Sequence, residues 1–279
     1  MDSLQTVSAR ARNARISAIK EMSIRSASVP DAVSLAWGVP SFRTPEPIRE
    51  AVARALAEDP SAGMYSLPAG LPELRQAAAE EHRRRTGVDV EYDCRIAITS
   101  GNMEGLDTLF HVLVDPGDEV IVTDPGFVSH ITQIRFNGGV PVYWRMDEAR
   151  GWEPDPADLP NLITERTKAI VLVTPSNPTG KVLTEATQRA VADAAIRHDL
   201  FLIVDDPYSH FIYEDRDRYF ELASLPELAG SLAYLFTFSK AFAMSGWRVG
   251  YMVEPEQLLT EVVKVHDKTM ICTPRISQI

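Results

Sequence analysis

The stretch Leu232-Ala233-Tyr234-Leu235-Phe236-Thr237-Phe238-Ser239-Lys240 reads as a buried strand that runs into a lysine. Its apolar and aromatic side chains are nearly continuous, the pattern of a strand covered on both faces rather than on one. Runs of the same kind lie at residues 95–99, 119–123, 141–144, 169–174, 200–205 and 249–253. They are rich in Val, Ile and aromatic residues, which suit a pleated, packed surface. Helix-like stretches separate them, residues 103–113 and 185–198 being the clearest. This alternation predicts an α/β domain of three α/β/α layers, with a mostly parallel seven-stranded sheet between helices.

The chain before residue 95 has a different texture. Pro40, Pro45, Pro47, Pro60, Pro68 and Pro72 punctuate it, and helices are expected over 47–58, with a proline at its start, and over 71–85. The expected organisation is an N-terminal arm with the start of a small domain over 1–45, and a large domain over 46–279. Near the N-terminus Arg10, Arg12, Arg15 and Lys20 face only Asp2, a composition like that of a transit peptide. Ile16, Ile19 and Met22 fall at helical spacing there, so an amphipathic first helix is the preferred reading.

Bulk properties narrow the function. The 279 residues are 45% hydrophobic and 24% charged, the balance of a globular protein, and no run is long enough to span a membrane. A net charge of −11 argues against nucleic acid as partner, because a phosphate backbone needs a basic face. Cys94 and Cys272 form no disulfide framework, which suits a reducing, cytoplasmic compartment. The six histidines show no metal-ligand spacing, so no metal site is expected.

In parallel sheets, ligands bind beyond the carboxyl ends of the strands. The polar residues worth attention stand there. Ser100-Gly101-Asn102-Met103 follows one run, Asp124-Pro125-Gly126-Phe127 the next, and Asn177-Pro178-Thr179-Gly180 another; Asp205 closes a run three residues before Tyr208. Lys240 has hydroxyls at Thr237 and Ser239, and Arg248 follows eight residues later. Alone, Ser239-Lys240 reads as a surface lysine, Asn177-Pro178 as a turn, Asp205 as a cap and Phe127 as a core aromatic. As a set they describe a lysine able to hold an aldehyde cofactor as a Schiff base, beside groups suited to a phosphate. Arg248, between Trp247 and Val249, is expected to be at least partly buried with an anion to pair.

These motifs, in this order, resemble the fold-type I pyridoxal-phosphate enzymes, specifically the class I/II aminotransferases. The resemblance runs from about Val33 to the C-terminus. It includes Ser34-Leu35-Ala36-Trp37-Gly38-Val39-Pro40, Tyr65 with Gly70, and Gly246-Trp247-Arg248-Val249-Gly250. It implies a PLP-dependent transaminase. Lys240 would be the Schiff-base amine and proton carrier, Asp205 the partner of the pyridine nitrogen, and Asn177 and Tyr208 would bond the ring oxygen. Phe127 would stack on the ring. The backbone of Gly101, Asn102 and Met103, together with Thr237, Ser239 and Arg248, would hold the phosphate. Tyr65 would reach the phosphate of a neighbouring subunit, which makes a homodimer the expected unit, and Gly38 would approach the substrate carboxylate.

The family continues past the position where this sequence ends at Ile279, into a small domain with the arginine that clamps the substrate carboxylate. The chain is therefore expected to be a fragment. Arg275 reads as solvent-facing and is left out of the catalytic set. Two alternatives to amino-group transfer share the motifs: a PLP-dependent lyase or β-eliminase of the same fold, and a non-catalytic truncated or ligand-sensing domain.

Overall fold

The computed structural model describes residues 6–14, 16–36, 38–213 and 219–279. Asp2, Arg15 and Trp37, all named above, lie outside the described residues. The chain divides into two units, Met1–Ser41 and Phe42–Ile279. The first holds two short helices, α1 (Ala9–Asn13) and α2 (Ala18–Ser26), capped by the hydroxyls of Ser8 and Ser17. Two helices thus stand where one was expected: Ile19 and Met22 lie on α2, while Ile16 falls in the link between the two.

The second unit is built on one sheet in the order β1-β8-β7-β6-β5-β2-β3-β4. The strands are β1 (Ile96–Thr99), β2 (Glu119–Asp124), β3 (Val140–Asp147), β4 (Glu153–Pro154), β5 (Thr167–Val173), β6 (Phe201–Asp206), β7 (Leu232–Thr237) and β8 (Gly250–Val253). All seven runs expected from sequence are strands. The eighth, β4, is only two residues long and pairs antiparallel with the end of β3, too short to leave a pattern. The β3-β2-β5-β6-β7 stretch is parallel. β8 runs antiparallel between β7 and β1.

Alternate side chains of each strand enter opposite layers, as the two-residue period of a strand requires. Ile96, Ile98, Ile170, Leu172, Leu202, Val204, Tyr234 and Phe236 join one buried cluster. Ala97, Ala169, Val171, Ile203, Ala233 and Leu235 join the other. The first layer is covered by α4 (Pro72–Thr86) through Ala78 and by α9 (Glu185–Arg197) through Val191 and Ala195. The second is covered by α6 (Asn102–Leu113), α7 (Val128–Phe136) and α11 (Glu256–Thr269), through Leu106, Phe110, Ile134, Leu258 and Val262. Remaining helices are α3 (Glu46–Glu58) and the one-turn α5 (Tyr92–Arg95), α8 (Leu159–Leu162) and α10 (Phe238–Ala241).

Helix ends follow local chemistry. Pro72 opens α4 where an unpaired N–H would otherwise stand, and Gly87 closes it with φ 75°, returning its N–H to the Arg83 carbonyl at 2.8 Å. Among the described residues no helix is long and apolar enough to cross a membrane.

The topology makes one end of the sheet special. From β2 the chain moves outward to β3, then returns to the other side of β2 and continues through β5, β6 and β7. Such a reversal opens a crevice at the carboxyl ends of the strands. Because β8 is antiparallel, its first residue arrives at that same end: Gly250 is level with Thr99 of β1 and Thr237 of β7.

Candidate active site

Asp205 is the second-last residue of β6, level with Leu235 of the adjacent β7. Its side chain is buried and held from two helices. Asn102 at the start of α6 donates its Nδ2 to Oδ1 at 2.6 Å. His130 on α7 lies with Nε2 at 2.9 Å from Oδ2; a carboxylate only accepts, so this nitrogen carries the hydrogen. His130 is itself buried, with its ring edge-on to Phe127 at 5.2 Å and 89°. Phe127, half-buried, precedes α7. A buried carboxylate with one hydrogen bond on each oxygen is fixed in direction.

Tyr208 follows Asp205 by one turn, and its hydroxyl accepts a bond from Asn177 Nδ2 at 3.3 Å, joining the segments after β5 and β6. Burial, and then the nearby Asp205 charge, push the Tyr208 pKa above its ordinary value of 10.0 against the opposing Asn177 bond. The turn beneath it is pinned by Asp206, which accepts from the Ser209 N–H at 2.9 Å, the Ser209 hydroxyl at 2.7 Å and the Tyr234 hydroxyl at 2.6 Å. Arg85 of α4 bridges Asp206 and Glu221, each at 2.7 Å. Burial, with the Asp206 charge beside it, pushes the Glu221 carboxyl up to about 7 despite Arg85.

β7 ends at Thr237 and the chain turns at once into α10, which carries Lys240. Thr237 caps this turn: its hydroxyl accepts the Ser239 N–H at 3.1 Å and donates to the Ser239 hydroxyl at 2.8 Å. Lys240 is half-buried, and burial lowers its pKa from the ordinary 10.5. The loop returning to β8 is wound tightly, with Ala243 and Arg248 at φ 51° and 56°. Trp247 anchors it through its indole N–H to the Thr44 hydroxyl at 3.2 Å, which in turn donates to the Ala243 carbonyl at 2.7 Å.

Arg248 departs from expectation. It is exposed, and its guanidinium donates to the carbonyls of Ser245 at 2.9 Å and Ser100 at 3.1 Å. The left-handed backbone at Arg248 turns the side chain out of the core and across the Ser100-Gly101 turn. That turn needs its glycine: Gly101 has φ 76°, and a Cβ there would stand 2.7 Å from Arg248 Nη2. Gly250 is similarly constrained, since a Cβ would meet the Phe236 carbonyl oxygen at 2.7 Å and Asn102 Oδ1 at 3.0 Å.

The strand-end residues expected from sequence, Gly101, Asn102, Met103, Phe127, Asn177, Asp205, Tyr208, Thr237, Ser239, Lys240 and Arg248, thus stand at the ends of six neighbouring strands, β1, β8, β7, β6, β5 and β2, at one end of the sheet. The phosphate turn was expected to contribute backbone alone, whereas the Asn102 side chain grips Asp205. His130 was not singled out at all. Tyr65 lies on the outside of the second unit, 76% exposed. Gly38 belongs to the first unit. Arg275 is not simply solvent-facing: it is half-buried, with Nη2 donating to the Ser61 hydroxyl at 2.7 Å. A small cavity lined by His82, Arg95, Leu232 and Tyr234 lies at the opposite end of β7 from Lys240 and takes no part.

The comparisons with known proteins agree with this geometry. The family described as aminotransferase class I and II matches residues 30–278. An aspartate aminotransferase of Pyrococcus horikoshii is 39% identical over 90% of this chain and 62% of its own length. A probable aspartate/prephenate aminotransferase of Thermus aquaticus is 41% identical over 89% of this chain and 63% of its own. The solved aspartate aminotransferase of Thermus thermophilus with maleate superposes with a TM-score of 0.90 at 37% identity, covering 98% of this chain and 70% of that one. The chain belongs to the class I and II aminotransferase family. It spans less than two thirds of the length of the two relatives matched by sequence.

Proposed function

We propose that this chain forms the cofactor-binding part of a pyridoxal-phosphate-dependent aminotransferase, which moves an amino group between an amino acid and a 2-oxo acid. The observation that carries the reading is the Asp205 carboxylate: buried, gripped by Asn102 and His130, and set on the strand beside the one that leads to Lys240. A fixed anion at that point serves to hold a proton on a ring nitrogen.

The residues fit pyridoxal 5'-phosphate by their donor chemistry. Thr237 and Ser239 offer hydroxyls, Arg248 a guanidinium, and the first turn of the twelve-residue α6 the amides of Asn102 and Met103 behind a glycine that leaves the turn open. Amides at a helix start together with an arginine suit a phosphate dianion. When bound, the cofactor supplies an aldehyde that links to amines and a cationic ring that takes up electrons from the substrate carbon. Asn177 and Tyr208, already bonded to each other, would orient the ring oxygen, and Phe127 would lie against the ring face. Lys240 would hold the aldehyde and later carry a proton at the substrate carbon. Its lowered pKa raises the fraction of neutral amine available for both tasks.

Gly38 would allow the backbone to approach the substrate carboxylate. A homodimer, with Tyr65 reaching a second copy, suits the exposed apolar side chains of Leu56, Met64 and Leu67 near it in sequence, each more than 60% exposed. Two free cysteines suit a cytoplasmic setting.

Added pyridoxal phosphate should give a visible absorption band and raise the melting midpoint. An amino acid should bleach that band and a 2-oxo acid restore it. Ammonia release without an acceptor would instead mark an eliminase, and absence of any band would remove the reading.

A further inference from the structure

One half-buried acid at the phosphate turn is not used by the function just proposed. Glu104 is the third residue of α6, and its side chain folds back over the start of its own helix. Oε2 accepts the Ser100 N–H at 3.0 Å. Oε1 accepts the Thr108 hydroxyl at 2.7 Å and lies 2.8 Å from Nδ1 of His266 on α11. His266 is 3% exposed, and its other ring nitrogen has no hydrogen-bond partner. An acid at the third helical position commonly reaches back to the N-cap N–H. Here it reaches one residue further, past the N-cap Gly101.

The backbone of Ser100 is therefore held on both sides of its Cα. Glu104 holds its N–H and Arg248 holds its carbonyl at 3.1 Å. The following Gly101, at φ 76°, directs the first amides of α6, so fixing Ser100 fixes their aim. A carboxylate so near an anion site costs electrostatic repulsion unless it is compensated. The compensation is a full set of donors. Burial alone would raise the Glu104 pKa, yet the bonds and charge of His266, with those of Thr108 and Ser100, bring it below the ordinary 4.5. An acid placed there and kept ionised calls for a purpose beyond helix capping.

We propose that Glu104, steadied by His266, is a positioning residue that sets the Ser100-Gly101 turn for the phosphate end of the ligand. It touches no ligand atom itself. The inference rests on the cofactor reading above and adds to it a pair of residues that act through a backbone peptide. It separates from a plain staple between α6 and α11 by its selectivity: a staple supports the whole pocket, whereas this pair supports only the phosphate end.

The test compares pyridoxal phosphate with pyridoxal, which has the same aldehyde and ring without phosphate. Wild type, Glu104→Ala, Glu104→Gln and His266→Asn are titrated with each, following the visible band and the melting midpoint. Loss of one charge-assisted bond should weaken pyridoxal phosphate about ten-fold in Glu104→Ala. Pyridoxal should stay within about two-fold of wild type, since no phosphate contact is at stake. Glu104→Gln keeps an oxygen for Ser100 and should recover most of the loss, with His266→Asn between the two. Equal weakening of both aldehydes, or an unchanged affinity for pyridoxal phosphate in Glu104→Ala, overturns the inference while leaving the cofactor reading intact. A wild type that binds neither aldehyde overturns both.

Discussion

Glu254 stands just past β8 and is fully buried, and neither of its carboxylate oxygens has a hydrogen-bond partner. Its backbone is well placed, with its N–H on the Arg95 carbonyl at 2.9 Å and its own carbonyl on Arg95 Nε at 2.9 Å. Burial pushes the carboxyl from 4.5 up to about 8, with the Arg95 charge opposing. The folded state thus binds the proton more tightly than the unfolded chain, so this group's contribution is greatest below about pH 4.5 and is lost as pH rises towards about 8. At 1.36 kcal/mol per pK unit, about 2.5 units separate pH 7 from the unfolded value, which amounts to roughly 3 kcal/mol. Above pH 8 the loss levels off at about 5 kcal/mol. Glu254→Gln cannot ionise and escapes this loss. Urea unfolding of both proteins at pH 5, 7 and 8.5 should give a gap that is small at pH 5 and grows to several kcal/mol in favour of Gln. A gap that does not change with pH, or one that favours Glu at pH 8.5, refutes the reasoning.

Other substitutions probe the site and the core. Gly101→Ala places a methyl 2.7 Å from Arg248 Nη2 on a left-handed backbone, and should weaken pyridoxal phosphate by at least about ten-fold by titration of the visible band. Asn102→Asp sets a second carboxylate where a donor lay 2.6 Å from Asp205, losing that bond and adding repulsion; pyridoxal phosphate affinity should fall by at least about ten-fold by titration of the visible band. Phe110→Ala removes a fully buried ring from the layer between α6 and the sheet, and should cost about 3–5 kcal/mol in denaturant unfolding.

Much of the fold was legible because its strands are buried on both faces and so appear as unbroken apolar runs. β7 shows the principle: Leu232 through Thr237 is buried at every position. β4 was illegible because two residues carry no period. The break between α1 and α2 was missed because Ile16, Ile19 and Met22 keep helical spacing across it. At the site, the residues on strand ends could be read because each follows its own run. His130 could not: it lies on α7, 75 residues from Asp205 in sequence, and only the fold makes them neighbours. A still longer separation hides Arg85, 121 residues before its partner Asp206. Arg248 was misjudged because flanking apolar residues suggest burial, whereas a positive φ of 56° turns the side chain outward.

Borohydride reduction in the presence of pyridoxal phosphate, followed by peptide mass mapping, bears most directly on the assignment of Lys240. The account predicts one stable pyridoxyl mark, on the peptide that contains Lys240, absent from Lys240→Ala and much reduced in Asp205→Ala. A mark spread over several surface lysines, or one that persists undiminished in Lys240→Ala, contradicts it.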